Sequence, residues 1–232
     1  MPPLRKAQNF TKIKDRSLSE QAYEAMRTSI VEGQIEPGGR VVEYRVAEEL
    51  GISRAPVREA LRRLVEEHLV VEQPRYGTFV RELSASDFVD IYNARIAVET
   101  AAARLVARGR FDLTAADDLI AEMFAAARRR QRAKVVNLEL EVHLAICAAT
   151  GNPFLDASFR SLSGVIRLAL ALDDQSYANL DDIAAEHPPL LDALRSGDEE
   201  RAARSMHQHI VASIDPVLQR LGGSRDAILG VT

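Results

Sequence analysis

The pattern of apolar and polar positions changes once along the chain, near residue 84. Before that point, short helical patterns are followed by two runs that favour β-strands. After it, apolar residues recur only at the spacing of helices. The second part is therefore predicted to be an all-α antiparallel bundle with short connections. Its expected helices are Asp87–Arg108, Thr114–Arg130, Ala133–Thr150, Phe154–Leu172, Pro188–Ser196 with a lead-in from Asp181, and Asp198–Leu221.

Two short helices joined by a tight turn are predicted between residues 43 and 63. The first spans Tyr44–Leu50 and ends at Gly51, because glycine accepts the left-handed conformation that a helix end often needs. Ser53 is expected to be the N-cap of the second helix, which begins at Arg54. Pro56 falls in the first turn of that helix, where its missing N–H has no cost.

The second helix has an apolar flank and a cationic flank. Arg54, Arg58 and Arg62 recur at every fourth position and form a row beside the apolar stripe. Such a helix can lie in a DNA major groove, because an arginine can donate two hydrogen bonds to a guanine edge or clamp a phosphate. The alternative interpretation is a helix with a solvated charged face.

A β-hairpin is predicted directly after this helix. Its strands are Leu69–Gln73 and Thr78–Glu82, and the turn between them spans Pro74–Gly77. Helix, turn, helix and hairpin together make a winged helix-turn-helix, which favours DNA binding over a solvated face. The residues predicted to contact DNA are Ser53, Arg54, Ala55, Arg58, Arg62, Arg75, Tyr76 and Gly77.

Three motifs of the first part carry a family resemblance. They are Ile35-x-Pro37-Gly38, the run SRAPVREAL at residues 53–61, and Pro74-x-x-Gly77-x-x-Val80. With these motifs, residues 17–82 resemble the DNA-binding domain of GntR-type bacterial transcription regulators. His68 departs from the family pattern, which usually has glycine between the recognition helix and the wing. A left-handed backbone is expected there, with local strain but no loss of fold.

Charge is divided unevenly between the two parts. The chain has a formal net charge of −4, of which residues 1–83 contribute +1 (14 Lys and Arg against 13 Asp and Glu) and the remainder −5. Residues 1–16 contain five basic side chains and one acidic one, which predicts a flexible basic arm. Both a direct DNA role and a simple disordered tail fit this arm. Local charge governs phosphate contact, so a negative total does not exclude DNA binding.

Membrane insertion and disulfide bonding are not expected. No apolar run approaches the roughly 18 residues of a membrane span, and the N-terminus lacks the apolar core of a signal peptide. A cytoplasmic protein without a membrane partner is therefore predicted. Cys147 is the single cysteine, and we expect it to be a small core residue.

Four of the five histidines lie in the predicted bundle. Glu139 and His143 are four residues apart and share one helix face. On the last helix, His209 belongs to the inward face and His207 points outward. Glu139, His143, His187 and His209 would suit a divalent metal such as Zn²⁺ or Ni²⁺. Hydrogen-bonded core histidines explain the same spacing.

The second part resembles the FCD effector domain of the FadR branch over residues 87–221. The matching motifs are Asn137-x-Glu139-x-x-x-His143, Gly151-Asn152-Pro153, Glu186-His187 and Met206-x-x-His209. The resemblance implies a metal at these positions and a small organic acid held by the metal and by nearby arginines. Glu139 stands where aspartate is usual, and Pro188-Pro189 follow His187. Both departures bear on metal affinity and not on the fold.

Three residues are assigned to the effector pocket. Arg95, within Tyr92-x-x-Arg95-x-x-x-Glu99, matches an arginine of the family's pocket. Asn152 is assigned to it from the matching motif. Arg167 is assigned as well, although the sequence does not distinguish this role from a solvated surface position.

The leading hypothesis is a mainly α, homodimeric transcription regulator, acting as a repressor, whose affinity for operator DNA is controlled by a small carboxylate. The alternative is a metal-dependent hydrolase or lyase acting on such a carboxylate, for which the sequence shows no spare general base. The expected divisions are a basic arm (1–16), the winged helix-turn-helix (17–83), a helical effector-binding and dimerisation domain (87–222) and a tail (223–232). The chain is expected to fray from Gly222 onward.

Overall fold

The computed structural model describes residues 16–173, 177–212 and 214–230. Within these residues, three short strands and twelve α-helices form a mainly α fold. The predicted basic arm, apart from Arg16, lies outside the described residues. No helix in the described ranges is both long and apolar enough to cross a membrane.

The first domain is a winged helix-turn-helix, as predicted. Its strands form an antiparallel sheet in the order β1-β3-β2, and its second and third helices form the helix-turn-helix. The elements are α1 (Leu18–Val31), β1 (Arg40–Val41), α2 (Glu43–Glu49), α3 (Arg54–Glu66), β2 (Val70–Gln73) and β3 (Gly77–Val80).

The second domain is all-helical, as predicted, but it contains more helices than the sequence pattern indicated. Each of the last three predicted segments is divided in two, near Leu162, Glu186 and Ala212. The elements are α4 (Ala85–Gly109), α5 (Thr114–Arg128), α6 (Arg132–Ala149), α7 (Pro153–Ser161), α8 (Ser163–Asp173), α9 (Leu180–Ala185), α10 (His187–Arg195), α11 (Glu199–Val211) and α12 (Ile214–Leu221).

Local chemistry explains where several of these helices begin. Ser84 and Asp87 form a reciprocal capping box that starts α4. Asn179 caps α9 through its side chain, and α10 accommodates Pro188 and Pro189 because they fall in its first turn. Periodicity alone does not reveal these breaks, since the apolar spacing continues across them.

The segment after α12 was expected to fray, and this expectation was wrong for its described part. The Asn93 side chain donates to the carbonyl of Ala227 at 3.0 Å and accepts from the Leu229 N–H at 2.8 Å. Ile228 is buried, and His207 lies 2.7 Å from the carbonyl oxygen of Leu229. These contacts to α4 and α11 hold residues 223–230 against the bundle.

The two domains meet through backbone at Gly164. This glycine lies in the first turn of α8, against the carbonyl of Glu67 at the end of α3, so that a Cβ at this position would overlap the carbonyl oxygen. The end of the recognition helix therefore rests directly on the second domain.

The end of α3 shows why His68 adopts the expected left-handed conformation, with a φ of 60°. The His68 N–H donates to Val65 at 3.0 Å and the Leu69 N–H donates to Leu64 at 2.9 Å. This pattern is a Schellman motif, in which the buried Leu64 and Leu69 side chains supply the usual hydrophobic contact. The motif determines the direction in which the chain enters the wing.

We expect His68→Gly to raise the free energy of unfolding by about 0.5–1 kcal/mol. A left-handed conformation costs an L-residue roughly 1–2 kcal/mol, and this exceeds the roughly 0.5–1 kcal/mol of added chain entropy that glycine loses on folding. Urea unfolding measures the change, provided that the slope with denaturant is the same for both proteins. His68→Ala is the control, because alanine keeps the Cβ and should give no gain. Equal stability of His68→Gly and the parent protein would contradict the strain.

Candidate functional site

The cationic row of α3 is held by a carboxylate from α2. Arg54 Nη2 lies 2.9 Å from Glu43 Oε2, and Arg58 Nε lies 2.7 Å from Glu43 Oε1. Hydrogen bonds from Arg58 and then Arg54 lower the pKa of Glu43. The two arginine side chains are still 61% and 63% exposed. Glu43 thus orients two guanidinium groups that face solvent at the start of the recognition helix.

The remaining residues predicted to contact DNA also lie on the surface. Ser53 is at the N-cap position, but its hydroxyl makes no capping hydrogen bond to the described backbone. Ala55 and Arg62 are exposed along α3. Tyr76 is 69% exposed at the wing tip, beside Arg75, whose φ is 70°.

One cation on this face was missed in the sequence analysis. Arg40 lines the cleft of about 360 Å³ between α3 and the wing, together with Arg58, Arg62 and Thr78. Its guanidinium also lies close to Gly77. The sequence contained a sign of this position. Arg40 directly precedes Val41 in the short strand β1, which pairs with the wing strand β3.

Three histidines meet inside the helical domain. Each of His143, His187 and His209 can offer one ring nitrogen, and the three nitrogens lie within 4.8 Å of one another. The rings come from α6, α10 and α11 respectively. His143 and His187 are fully buried, and the His209 side chain is 7% exposed. His207 is outside this cluster, as its position on α11 predicted.

Two of the three rings, His187 and His209, are in a state that suits a divalent metal. Burial, reinforced by the neighbouring His143, lowers the pKa of His187 to about 3. Burial and then His187 hold the pKa of His209 well below its usual range. His187 Nδ1 lies 2.9 Å from the carbonyl of Ile183, and its Nε2 has no hydrogen-bond partner among the described residues. Neutral imidazoles with an available nitrogen are the form that binds metal ions.

A buried charge network lies beside the histidines. Arg95 Nε donates to Glu99 Oε1 at 2.8 Å, and Arg95 Nη2 lies 3.3 Å from His143 Nε2. The other Glu99 oxygen contacts His143 Nδ1. Burial alone would raise the pKa of Glu99, but His143 and Arg95 lower it to about 2. A carboxylate on the far nitrogen of a histidine fixes the orientation of the ring, as in many metal sites.

The structure places the other predicted site residues outside the cluster of three histidines. Glu139 lies one turn before His143, 7% exposed, and interacts electrostatically with Arg95 and Tyr92, but it is outside the group of nitrogens that lie within 4.8 Å. Asn152 caps α7 by accepting from the N–H groups of residues 154 and 155.

The contacts of Arg167 lead away from the histidines. It donates to Asn137, and its pKa is lowered first by burial and then by Arg27 of α1. Tyr23 and Glu67 of the DNA-binding domain also lie within electrostatic reach. Arg167 therefore lies near the junction of the two domains.

Both domains match known families. Residues 18–80 match the model described as "Bacterial regulatory proteins, gntR family", and residues 90–212 match the FCD domain. The second match alone covers more than half of the chain.

The chain aligns with known relatives along nearly its whole length. The chain is 28% identical to the "Probable D-xylose utilization operon transcriptional repressor" of Paenarthrobacter nicotinovorans, covering 91% of this chain and 94% of that protein. It is 26% identical to the transcriptional repressor GlaR of Escherichia coli, over 89% and 98%. A GntR-type structure from Rhodococcus sp. RHA1 superposes with a TM-score of 0.74 at 25% identity, over 89% and 99%.

The helix-turn-helix with its exposed arginines, the histidine cluster and these matches lead to one conclusion. The chain belongs to the gntR family of bacterial regulators with an FCD domain, and it is a DNA-binding transcription regulator rather than the metal-dependent enzyme considered as the alternative.

Proposed function

We propose that this regulator is a homodimeric repressor whose operator affinity is set by a small organic acid bound in the helical domain beside a divalent metal. The observation that carries the proposal is the convergence of three buried histidines next to the buried Arg95. Imidazole ligands favour Zn²⁺ or Ni²⁺ among the common divalent ions.

His143, His187 and His209 would hold the metal. Glu139, which lies outside this group on the same helix as His143, would complete the set only after its side chain moves toward the three nitrogens. A bound Zn²⁺ or Ni²⁺ supplies a Lewis-acidic position for a carboxylate oxygen. Arg95 would bind the same acid through its guanidinium, since arginine and carboxylate form paired, charge-assisted hydrogen bonds. Its ring contact with Tyr92, at 5.1 Å, supports this orientation of the side chain.

A path of packed groups runs from this site to the winged helix-turn-helix domain, Leu18–Val80, which is called the reading head below. Tyr92 donates a buried hydrogen bond of 2.8 Å to Asp173 at the end of α8. The opposite end of α8 carries Gly164, which rests on the last turn of the recognition helix. An acid that binds one arrangement of α4 and α8 more tightly than another would therefore shift the position of the head.

A dimer explains how so small a reading head achieves selectivity. One winged helix contacts few base pairs, whereas two heads on a palindromic site double the number read. Repressor activity is proposed because relatives in two different bacteria carry that description. The helical domain would join the two copies.

Arg54→Ala and Arg58→Ala should each weaken operator binding by about 1–3 kcal/mol, the usual cost of losing an arginine that reads a base. Fluorescence anisotropy with operator DNA and with unrelated DNA separates base reading from phosphate contact. Arg108→Ala is the control, since that exposed arginine pairs with Glu199 in the other domain. Unchanged operator affinity in both test variants would rule out the assignment of these residues.

His209→Gln should lower metal affinity by at least about 10-fold, because it removes an imidazole ligand. His207→Gln is a matched control on the same helix and should bind metal like the parent protein. Elemental analysis of untagged protein, followed by Zn²⁺ titration against a competing chelator, measures both. If the parent protein takes up neither Zn²⁺ nor Ni²⁺, the three histidines form a hydrogen-bonded core and the metal proposal fails.

Arg95→Lys should keep the metal but weaken effector binding by about 10-fold or more, since lysine cannot form the paired hydrogen bonds of a guanidinium. Lysine retains a positive charge for Glu99, whereas Arg95→Ala would leave a buried carboxylate without its cation, at a cost of about 3–5 kcal/mol. A thermal-shift screen of small carboxylates, with and without chelator, identifies the acid and measures the loss. Arg160→Lys, an exposed arginine on α7, is the control. Equal ligand response in Arg95→Lys and the parent protein would contradict the role.

A further inference from the structure

A second cavity lies at the junction of the two domains, apart from the histidine cluster. It has a volume of about 590 Å³. The DNA-binding domain contributes Ile30–Gly33 at the end of α1 and the segment that leaves the wing. The helical domain contributes Arg130–Lys134 at the start of α6, and Leu168, Ala171 and Leu172 on α8. A volume in this range is typical of small-molecule sites, which lie preferentially between domains.

The floor of this cleft is apolar. Ile30, Leu83, Val136 and Leu168 are each less than 10% exposed and line it, and the partly buried Ala171 and Leu172 line it on α8. Such a surface favours a hydrocarbon chain or ring over a strongly hydrated molecule.

The rim of the cleft is cationic. Four basic side chains line it, against the single carboxylate of Glu32. These are Arg81, Arg130, Arg132 and Lys134. Two of them belong to the basic run at residues 128–132, which plays no part in the histidine site. The N-terminus of α6 lies among them, and its N-cap Gln131 makes no side-chain capping hydrogen bond there. The positive end of the helix therefore adds to the charge of the rim.

The cleft is connected to the recognition helix through Arg81. The Nε of this residue donates to the carbonyl of His68 at 2.8 Å, in the turn that ends α3. Lys134 is fixed on the opposite wall by an ion pair of 2.6 Å with Glu122. A ligand bound between these walls would touch both domains at once.

We propose that this cleft is a second effector site, for an amphipathic anion with one carboxylate and an apolar chain or ring. An apolar floor with a cationic rim matches that chemistry. A second copy of this chain fits less well, because a two-fold contact would bring the same cationic rim against itself. Since the ligand would bridge both domains, it would stabilise the present pose of the reading head and so change operator affinity independently of the histidine site.

Two probes test the site in the full-length protein: the fluorescent sulfonate 1-anilinonaphthalene-8-sulfonate and, as its competitor, decanoate. Saturable binding of the dye and its displacement by decanoate are expected. Ala171→Phe should abolish both, because the ring would occupy the floor. Ala115→Phe, an exposed alanine on α5 away from the cleft, is the matched control and should bind like the parent protein.

A second variant tests the rim without disturbing the core. Arg130 and Arg132 are exposed, and Arg130 has a φ of 57°, so asparagine is suited to its position. The double variant Arg130→Asn with Arg132→Gln should weaken decanoate binding by about 10-fold, the usual effect of losing a hydrogen bond to a charged group. It keeps the proposal testable even if Ala171→Phe does not fold.

Five results would overturn the proposal. The first is the absence of saturable probe binding, and the second is equal probe binding by Ala171→Phe and Ala115→Phe. The third is loss of probe binding in His209→Gln with retention in Ala171→Phe, which would locate the probe at the histidines. The fourth is a lower oligomer mass of Ala171→Phe without ligand, which would mean that a second copy covers the cleft. The fifth is weaker operator binding by the arginine double variant without ligand, which would make the rim a phosphate contact.

Discussion

The buried ion pair between Arg95 and Glu99 is the interaction on which the helical domain depends. A guanidinium that is only 2% exposed must be matched by a nearby carboxylate, because an uncompensated charge in a protein core costs several kcal/mol. Glu99 meets this need one turn further along α4, and its second oxygen contacts His143 on α6. The same two contacts therefore neutralise a buried cation, set the rotation of α4 against α6, and orient a histidine ring toward its partners from α10 and α11.

The histidine site and the junction cleft are built from different parts of the chain. The histidine site uses few polar groups from distant segments, each locked by burial. The junction cleft uses an apolar floor made by both domains and charges from one turn, and it exists only because the domains pack together. A regulator with both sites would respond to two unlike acids through one reading head.

Much of the architecture follows from the sequence, and the exceptions have physical causes. Periodicity located the long helices, and the family resemblance, which usually has glycine at this position, led to the expected left-handed His68. Periodicity missed the breaks near Leu162, Glu186 and Ala212, because the apolar spacing does not change there. Arg95 and Glu99 are four residues apart, a spacing that usually marks a solvated surface pair. Only the packing of α6, α10 and α11 around them makes that pair the centre of a site. The position of Arg167 near the first domain likewise depends on packing between the domains, which the sequence pattern does not show.

The contact at Gly164 has a consequence for how the head can move. Because both partners are backbone, no change of rotamer can let α8 and the end of α3 come closer or slide through one another. The contact blocks closer approach at this point, so the head could change its pose only by turning about the contact or by separating from it. The wing belongs to the same domain as the end of α3, so a rotation of that domain would change the distance between the two heads of the proposed dimer. The spacing of the two half-sites on DNA would then sense the chemical state of the helical domain.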